Sequence, residues 1–377
     1  MDGWLFYDHH RRDPIATHIL GLATEGLSTR RWFYFIPAKG EPRKLVHRIE
    51  QSALDAVPGD KLIYAGWEEL HKLLGKLLSG NKKIAMQYSP ENNIPYVGLV
   101  DAGTIELIRK MGKKVVSSAD LVQKFEASWS AEQLQSHLST GKIIDRVTHD
   151  AFARAAEFVR EGKPLSEYEL QQWMFEQFCA NELTADDPPA VAVQPNNGNP
   201  HYAPTAHESK PIREGDLLLL DVWAKSTKPG SVYYDITWMG YLGKKVPKQY
   251  AKIFKILCEA RGRAIEFIKE SVEKARDIHG WEVDRVVRET IRKAGYGKNF
   301  VHRTGHSIGQ EVHGNGANMD GYETRDDRKI VPHTCFSIEP GIYLPEYGVR
   351  TEVNVYVGEK EARVTGAIQK EILALLA

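Results

Sequence analysis

Cysteine is scarce in this chain of 377 residues: Cys179, Cys258 and Cys335 stand far apart, and no C-x-x-C pair occurs. A disulfide framework and a zinc ribbon are therefore not expected, and three reduced, mostly buried thiols are. No sign of charge dominates, because 50 Lys and Arg face 50 Asp and Glu for a net charge of zero. That balance excludes the basic excess of a sequence-independent nucleic-acid binder. Long apolar runs are missing too. No run approaches the length that crosses a bilayer, the four leucines Leu217-Leu218-Leu219-Leu220 included. The opening Met1-Asp2-Gly3-Trp4 does not begin a basic segment followed by an apolar stretch, so no export signal is expected. These absences predict a soluble, cytoplasmic protein with neither nucleic acid nor membrane as partner. There is also no H-E-x-x-H, no G-x-S-x-G and no Walker-type loop, and Gly314-Asn315-Gly316-Ala317 does not complete a dinucleotide fingerprint.

What is present falls into two parts. Short aromatic or β-branched runs at residues 4–7, 32–36, 62–64, 84–86 and 115–116 predict strands. The apolar spacing over residues 67–78 predicts an amphipathic helix among them. Residues 1–126 are thus expected to form a small α/β domain without a dense His or acidic cluster. Residues 127–377 form the second domain. Ser130 with Gln133 has the form of a capping box that opens a helix to about Glu161. Gly162-Lys163-Pro164 breaks that helix, and another begins at Ser166 and ends near Cys179. A second long helix over residues 248–272 and a shorter one over 281–294 follow. The order long helix, break, short helix, strands occurs twice, which suggests a duplicated architecture.

Chemistry concentrates in the second part. Leu217-Leu218-Leu219-Leu220-Asp221 predicts a strand buried on both faces with a carboxylate at its end. Asp235 lies in an aromatic β segment, and Glu339 inside the strand expected of Phe336-Ser337-Ile338-Glu339. Residues 349–357 alternate, with Arg350, Glu352 and Asn354 on the face opposite the valines. Any one acid could be a buried carboxylate with a salt-bridge partner; four on separate strands of one domain are harder to explain that way. Three histidines, His302, His306 and His313, follow one another among glycines, and His201 sits in the Gly/Pro-rich loop at about 194–211, where substrate contacts are expected. Asp221, Asp235, Glu339 and Glu352 with His306 make an oxygen-rich donor set for two divalent ions, best suited to Mn²⁺, with Co²⁺, Fe²⁺ or Zn²⁺ also compatible. Such a pair of ions performs metal-assisted hydrolysis.

The ordered constellation resembles the pita-bread metallopeptidases, the family of prolidase, aminopeptidase P, methionine aminopeptidase and creatinase. It consists of Asp221, then Asp235-Ile236-Thr237, His306 in H-x-x-G-H-x-x-G, Glu339 in Ser-Ile-Glu-Pro-Gly-Ile-Tyr, and Glu352 in Gly-Val-Arg-Thr-Glu. The resemblance implies an α+β chain, with a pseudo-symmetric pita-bread catalytic domain preceded by a smaller α/β domain of the creatinase and prolidase type. It also implies that Asp235 and Glu352 bridge two metals, that Asp221 completes one, and that His306 with Glu339 completes the other. Glu339 would carry a proton to the leaving amine, and His313 would stabilise the tetrahedral intermediate. His201 and His302 would stand on the substrate side, and Arg350 would orient the carboxylates.

Departures from the pattern touch the pocket rather than the ligands: a turn insertion at 225–231, Arg303 and Ser307 in the histidine motif, Gly314 after His313, and Val353 after Glu352. The activity implied is hydrolysis of Xaa-Pro bonds in di- or oligopeptides, by a dipeptidase of the prolidase kind or, alternatively, an aminopeptidase P. The resemblance also implies a homodimer, the usual state of family members with this two-domain layout. A creatinase-like, metal-independent hydrolase and a non-enzymatic binding module on the same fold would lose ligand positions, whereas all five are present.

Overall fold

A computed structural model describes all 377 residues, which divide into two units, Met1–Glu126 and Ala127–Ala377. The first unit runs β1 (Gly3–Asp8), α1 (Pro14–Ile19), β2 (Trp32–Pro37), β3 (Arg43–His47), β4 (Asp60–Tyr64), α2 (Trp67–Leu77), β5 (Lys83–Met86), α3 (Ala102–Lys110), β6 (Lys114–Ser117) and α4 (Ala119–Val122). Its sheet has the order β4-β3-β2-β1-β5-β6 and is mixed: β1 pairs antiparallel with β2 and parallel with β5. Alternate residues of β1 feed two cores, Leu5 and Tyr7 on one face, Trp4 and Phe6 on the other. On α2, Leu70, Leu74 and Leu77 form the buried stripe that helical spacing requires. The pattern did not announce β3, α1 or α3. β3 has only Leu45 and Val46 between charged residues, and α3 rests on its cap, where the Asp101 carboxylate accepts from the Thr104 amide at 2.8 Å.

The second unit is built from a repeated order of elements. α5 (Ala131–Arg160) and α6 (Glu167–Ala180) precede β7 (Leu183–Thr184), β8 (Ala190–Ala192), β9 (Leu217–Ser226) and β10 (Tyr234–Tyr241). α7 (Lys248–Glu273) and α8 (Gly280–Lys293) precede β11 (Ser307–Ile308), β12 (Thr334–Ile338), β13 (Gly341–Tyr343), β14 (Gly348–Arg350), β15 (Val353–Val357), β16 (Ala362–Thr365) and β17 (Leu373–Ala374). The capping box that opens α5 closes in both directions: the Gln133 amide donates to Ser130 Oγ at 3.2 Å, and the Ser130 amide to Gln133 Oε1 at 2.9 Å. Ser166 and Glu169 repeat it on α6.

The four leucines do lie in a strand buried on both faces. Leu218 and Leu220 enter the core beneath α5 and α6, while Leu217 and Leu219 enter the core beneath α7 and α8. Each fully buried leucine contributes about 1.5–3 kcal/mol relative to exposure, so β9 is the seam that joins the two halves. Three local expectations need correction. Asp221 is not at the strand's end, because β9 continues to Ser226 to pair with β10. Glu339 lies outside a strand, in the gap between β12 and β13. The alternating run 349–357 is not one strand: it breaks after Arg350 into β14 and β15, which belong to different sheets.

Candidate metal centre

The antiparallel register of β9 and β10 places Thr237 opposite Asp221 and Asp235 opposite Trp223. Asp221 and Asp235 are therefore diagonal neighbours on one face, the face turned toward the core of the second half. There the break in the alternating run has its consequence. Glu352 leaves the ladder, and its amide donates to the Thr237 carbonyl at 3.2 Å. His306 arrives from the other side, on the segment ahead of β11. Gly305 lies so close to β12 that a Cβ there would stand 1.9 Å from the Ser337 carbonyl oxygen, so no larger residue fits.

Asp235, His306 and Glu352 come together with ligating atoms all within 4.8 Å of one another, and all three are buried. His306 Nε2 is 3.4 Å from Asp235 Oδ2 and 3.5 Å from Glu339 Oε1. Its Nδ1 faces the Ser307 carbonyl at 3.2 Å, which can only accept, so the proton sits on Nδ1 and the Nε2 lone pair points at the carboxylates. Glu339 and Asp221 are the more open members, with side chains 15% and 19% exposed. Asp221 is not within the tight cluster. It is gripped by the Arg350 guanidinium and by the Thr237 hydroxyl at 3.1 Å.

Arg350 is buried, and its donors are spread over the Asp221 carboxylate, the Thr237 hydroxyl at 3.0 Å, and Tyr343 and the Pro200 carbonyl at 3.3 Å each. Burial alone would lower its pKa, but the surrounding Asp221, Tyr343, Glu339 and Glu352 hold it well above its ordinary value. The acids behave in the opposite way. Burial first, and repulsion from neighbouring acids second (Asp221 on Asp235; Asp235, Glu339 and Asp221 on Glu352), push both well above the usual carboxylate range. Glu339 is pushed up by burial as well, with His306 and Arg350 opposing. Asp235 Oδ1 and Glu352 Oε1 are buried with no hydrogen-bond partner. Buried carboxyl groups with orphaned oxygens and an imidazole lone pair aimed among them are a donor set that a divalent metal fits.

The remaining histidines differ among themselves. His302 has both nitrogens engaged, Nδ1 with the Arg303 carbonyl at 2.7 Å and Nε2 with the Tyr343 hydroxyl at 2.9 Å. Burial, then Arg350, lowers its pKa to about 3, so it is a neutral strut. His313 packs edge-on against His306, ring centroids 4.3 Å apart, with part of the residue facing solvent. His201 is exposed on its loop.

Several residues passed over in the sequence organise this centre. Thr237 links Asp221, Glu352 and Arg350; its place two residues after Asp235 puts it on the same strand face, which was the available signal. On α8, the buried Asp284 accepts from the Thr304 amide at 3.1 Å and its hydroxyl at 2.7 Å, and from Arg288 Nε at 2.7 Å. Arg288 in turn holds the Phe300 and His302 carbonyls, so α8 fixes the segment that carries His302 and His306. Nothing in the local pattern distinguishes Asp284 from an ordinary helix-surface acid.

The duplicated fold and this cluster define a metal-dependent hydrolase. Residues 140–359 match metallopeptidase family M24, and the chain belongs to that family, with its pita-bread catalytic fold. A probable dipeptidase, PepE of Mycobacterium tuberculosis, is 27% identical over 333 residues, which cover 87% of this chain and 81% of the relative. An Xaa-Pro dipeptidase of Pyrococcus furiosus is 28% identical over 255 residues, 67% of each chain. The crystal structure of dipeptidase PepE from Mycobacterium ulcerans superposes with a TM-score of 0.72 at 22% identity, covering 100% of this chain and 93% of that one.

Proposed function

We propose that this protein hydrolyses Xaa-Pro dipeptides with two divalent ions held by Asp221, Asp235, His306, Glu339 and Glu352. The observation that carries the reading is the buried Asp235, His306 and Glu352 cluster with its two orphaned carboxylate oxygens, set in an M24 fold. Bound there, the ions would supply Lewis-acid polarisation of the peptide carbonyl and acidify a water molecule. The oxygen-rich donors with a single imidazole favour Mn²⁺.

The chain's own groups supply the rest. The leaving nitrogen of an Xaa-Pro bond is a tertiary amide without a hydrogen, so it departs only when a proton is delivered to it. Glu339 is partly open, so one of its carboxyl oxygens can hold that proton. His313, beside His306 and facing solvent, is placed to donate to the carbonyl oxygen as charge develops there. Arg350, occupied on every side, orients Asp221 and Thr237 rather than binding substrate.

The dipeptidase reading draws on the similarity to PepE and to an Xaa-Pro dipeptidase. A cytoplasmic setting is supported by three cysteines without a disulfide, and no helix is long and apolar enough to cross a membrane. A homodimer acting on peptides, without nucleic acid, completes the proposal. The test is hydrolysis of Ala-Pro and Ala-Pro-Ala side by side, on chelator-stripped protein with Mn²⁺ restored. Mn²⁺-dependent release of proline from Ala-Pro is expected. Cleavage of the tripeptide alone makes the protein an aminopeptidase P, and silence on both with no metal bound refutes the site.

A further inference from the structure

The loop that carries His201 is held from beneath by a single acid. Glu167, the first residue of α6, is wholly buried and has no cation in contact. Its Oε1 accepts from the Val193 amide at 2.7 Å and from Asn196 Nδ2 at 3.2 Å. Its Oε2 accepts from Asn196 Nδ2 at 3.0 Å, the Tyr202 hydroxyl at 2.7 Å and the Lys210 amide at 2.8 Å. A buried carboxylate is costly unless its lone pairs are filled, and here every donor comes from the same loop. Val193 and Asn196 precede His201 in the chain, and Tyr202 and Lys210 follow it, so one carboxylate closes the loop at both ends. The other side of the loop is tied to the metal-centre strands. Asn197 bonds the Leu217 carbonyl at 2.8 Å and the Gly348 amide at 2.9 Å, and the Pro200 carbonyl accepts from Arg350. The second half of the fold repeats the device, with Asp284 of α8 holding the His302–His306 segment.

We propose that Glu167 is a positioning residue: it sets where His201 stands, and through His201 the affinity for peptide, while touching neither substrate nor metal. The proposal rests on His201 being a substrate-side residue of the peptidase proposed above.

The test compares Glu167→Gln, Tyr202→Phe and His201→Ala with the wild type as full chains with Mn²⁺. Glu167→Gln sets an amide donor against the loop's donors, whereas Tyr202→Phe removes one bond and keeps the carboxylate. The expected result is a rise in KM for Ala-Pro on the order of ten- to hundredfold in Glu167→Gln, smaller in Tyr202→Phe, with kcat and metal content held. His201→Ala should raise KM comparably, and the double variant with Glu167→Gln should be no worse than the single ones. A KM unchanged in both Glu167→Gln and Tyr202→Phe, or effects of Glu167 and His201 that multiply, overturns the proposal. Should the wild type cleave no proline peptide, the peptidase reading fails by itself. Amide exchange at Val193 and Lys210 then decides on Glu167: faster exchange in Glu167→Gln upholds the latch, and unchanged protection overturns it.

Discussion

His137 offers a stability test whose sign and size follow from its surroundings. It lies fully buried on α5, with Nδ1 2.7 Å from the Tyr233 carbonyl and Nε2 2.6 Å from Thr365 Oγ1. The carbonyl only accepts, so Nδ1 carries the hydrogen and Nε2 accepts from the hydroxyl, which makes the imidazole neutral. Trp129 and Tyr234 flank the ring. Burial lowers its pKa from 6.5 to about 4, with the Tyr233 carbonyl opposing. At about 1.4 kcal/mol per unit, that shift amounts to about 3 kcal/mol. Below pH 6.5 the unfolded chain takes up a proton that the folded chain refuses until about pH 4. The contribution is therefore complete above pH 6.5 and is lost as pH falls toward 4. By pH 5 about 2 kcal/mol of it has gone. His137→Asn keeps a donor for Tyr233 and an acceptor for Thr365 but cannot take up the proton. Urea unfolding of both proteins at pH 7.5 and 5 should show the wild type's advantage shrinking by about 2 kcal/mol at the lower pH. An advantage that stays constant between the two would refute the neutral, desolvated imidazole.

Two further outcomes follow from the centre. Thr237→Val preserves shape while stripping Glu352 of its 2.8 Å donor and Arg350 of an acceptor. Hydrogen bonds to charged groups are worth about 1.5–3 kcal/mol, so titration calorimetry should show metal affinity weakened by roughly ten- to hundredfold; unchanged affinity would show that the hydroxyl does not orient the ligands. Metal should also stabilise the fold, by about 2.7 kcal/mol at one hundred times its dissociation constant. Because the raised carboxyls of Asp235 and Glu352 take up protons at the same oxygens, lower pH stabilises the metal-free form and competes with the ion. The melting-temperature gain from Mn²⁺ should then be larger at pH 8 than at pH 5.5, and a pH-independent gain would contradict the assigned ligands.

Much of the second unit was legible because its elements are locally consistent. The capping box at Ser130 and Gln133, the four leucines of β9 and the repeated long-then-short helices each carry their own signal. The gathering of Asp235, His306 and Glu352 could be expected from ordered motifs, but the hydrogen bonds that hold them could not. Thr237, Tyr343 and Asp284 act through partners that lie far away in sequence, as when Thr237 reaches Glu352 and Asp284 reaches Thr304. In the first unit, β3 is hidden from a hydropathy pattern because Lys44, which such a pattern counts as exposed, is buried in mid-strand with its ammonium donating to the Leu54 and Val57 carbonyls.

The interrupted stretch at residues 349–357 shows why the centre is where it is. Ile338 pairs with Val353 in one ladder and Gly341 with Arg350 in the next, so Glu339 and Pro340 face Thr351 and Glu352 across the gap between them. An unbroken ladder would set two carboxylates directly opposite each other, which is unfavourable, and Pro340 has no N–H to offer it. The backbone opens instead. The Glu339 amide turns to the Thr304 carbonyl at 2.8 Å, and the Glu352 amide to Thr237 at 3.2 Å. Each acid is thereby tied to a different wall, Glu339 to the histidine segment and Glu352 to β10. Val349, Thr351 and Val353 keep to one face and Arg350, Glu352 and Asn354 to the other, so a two-residue period predicts a continuous strand. The informative signal was the juxtaposition of two acids and a proline at facing positions, which costs a simple sheet stability and gives a cation the site it needs.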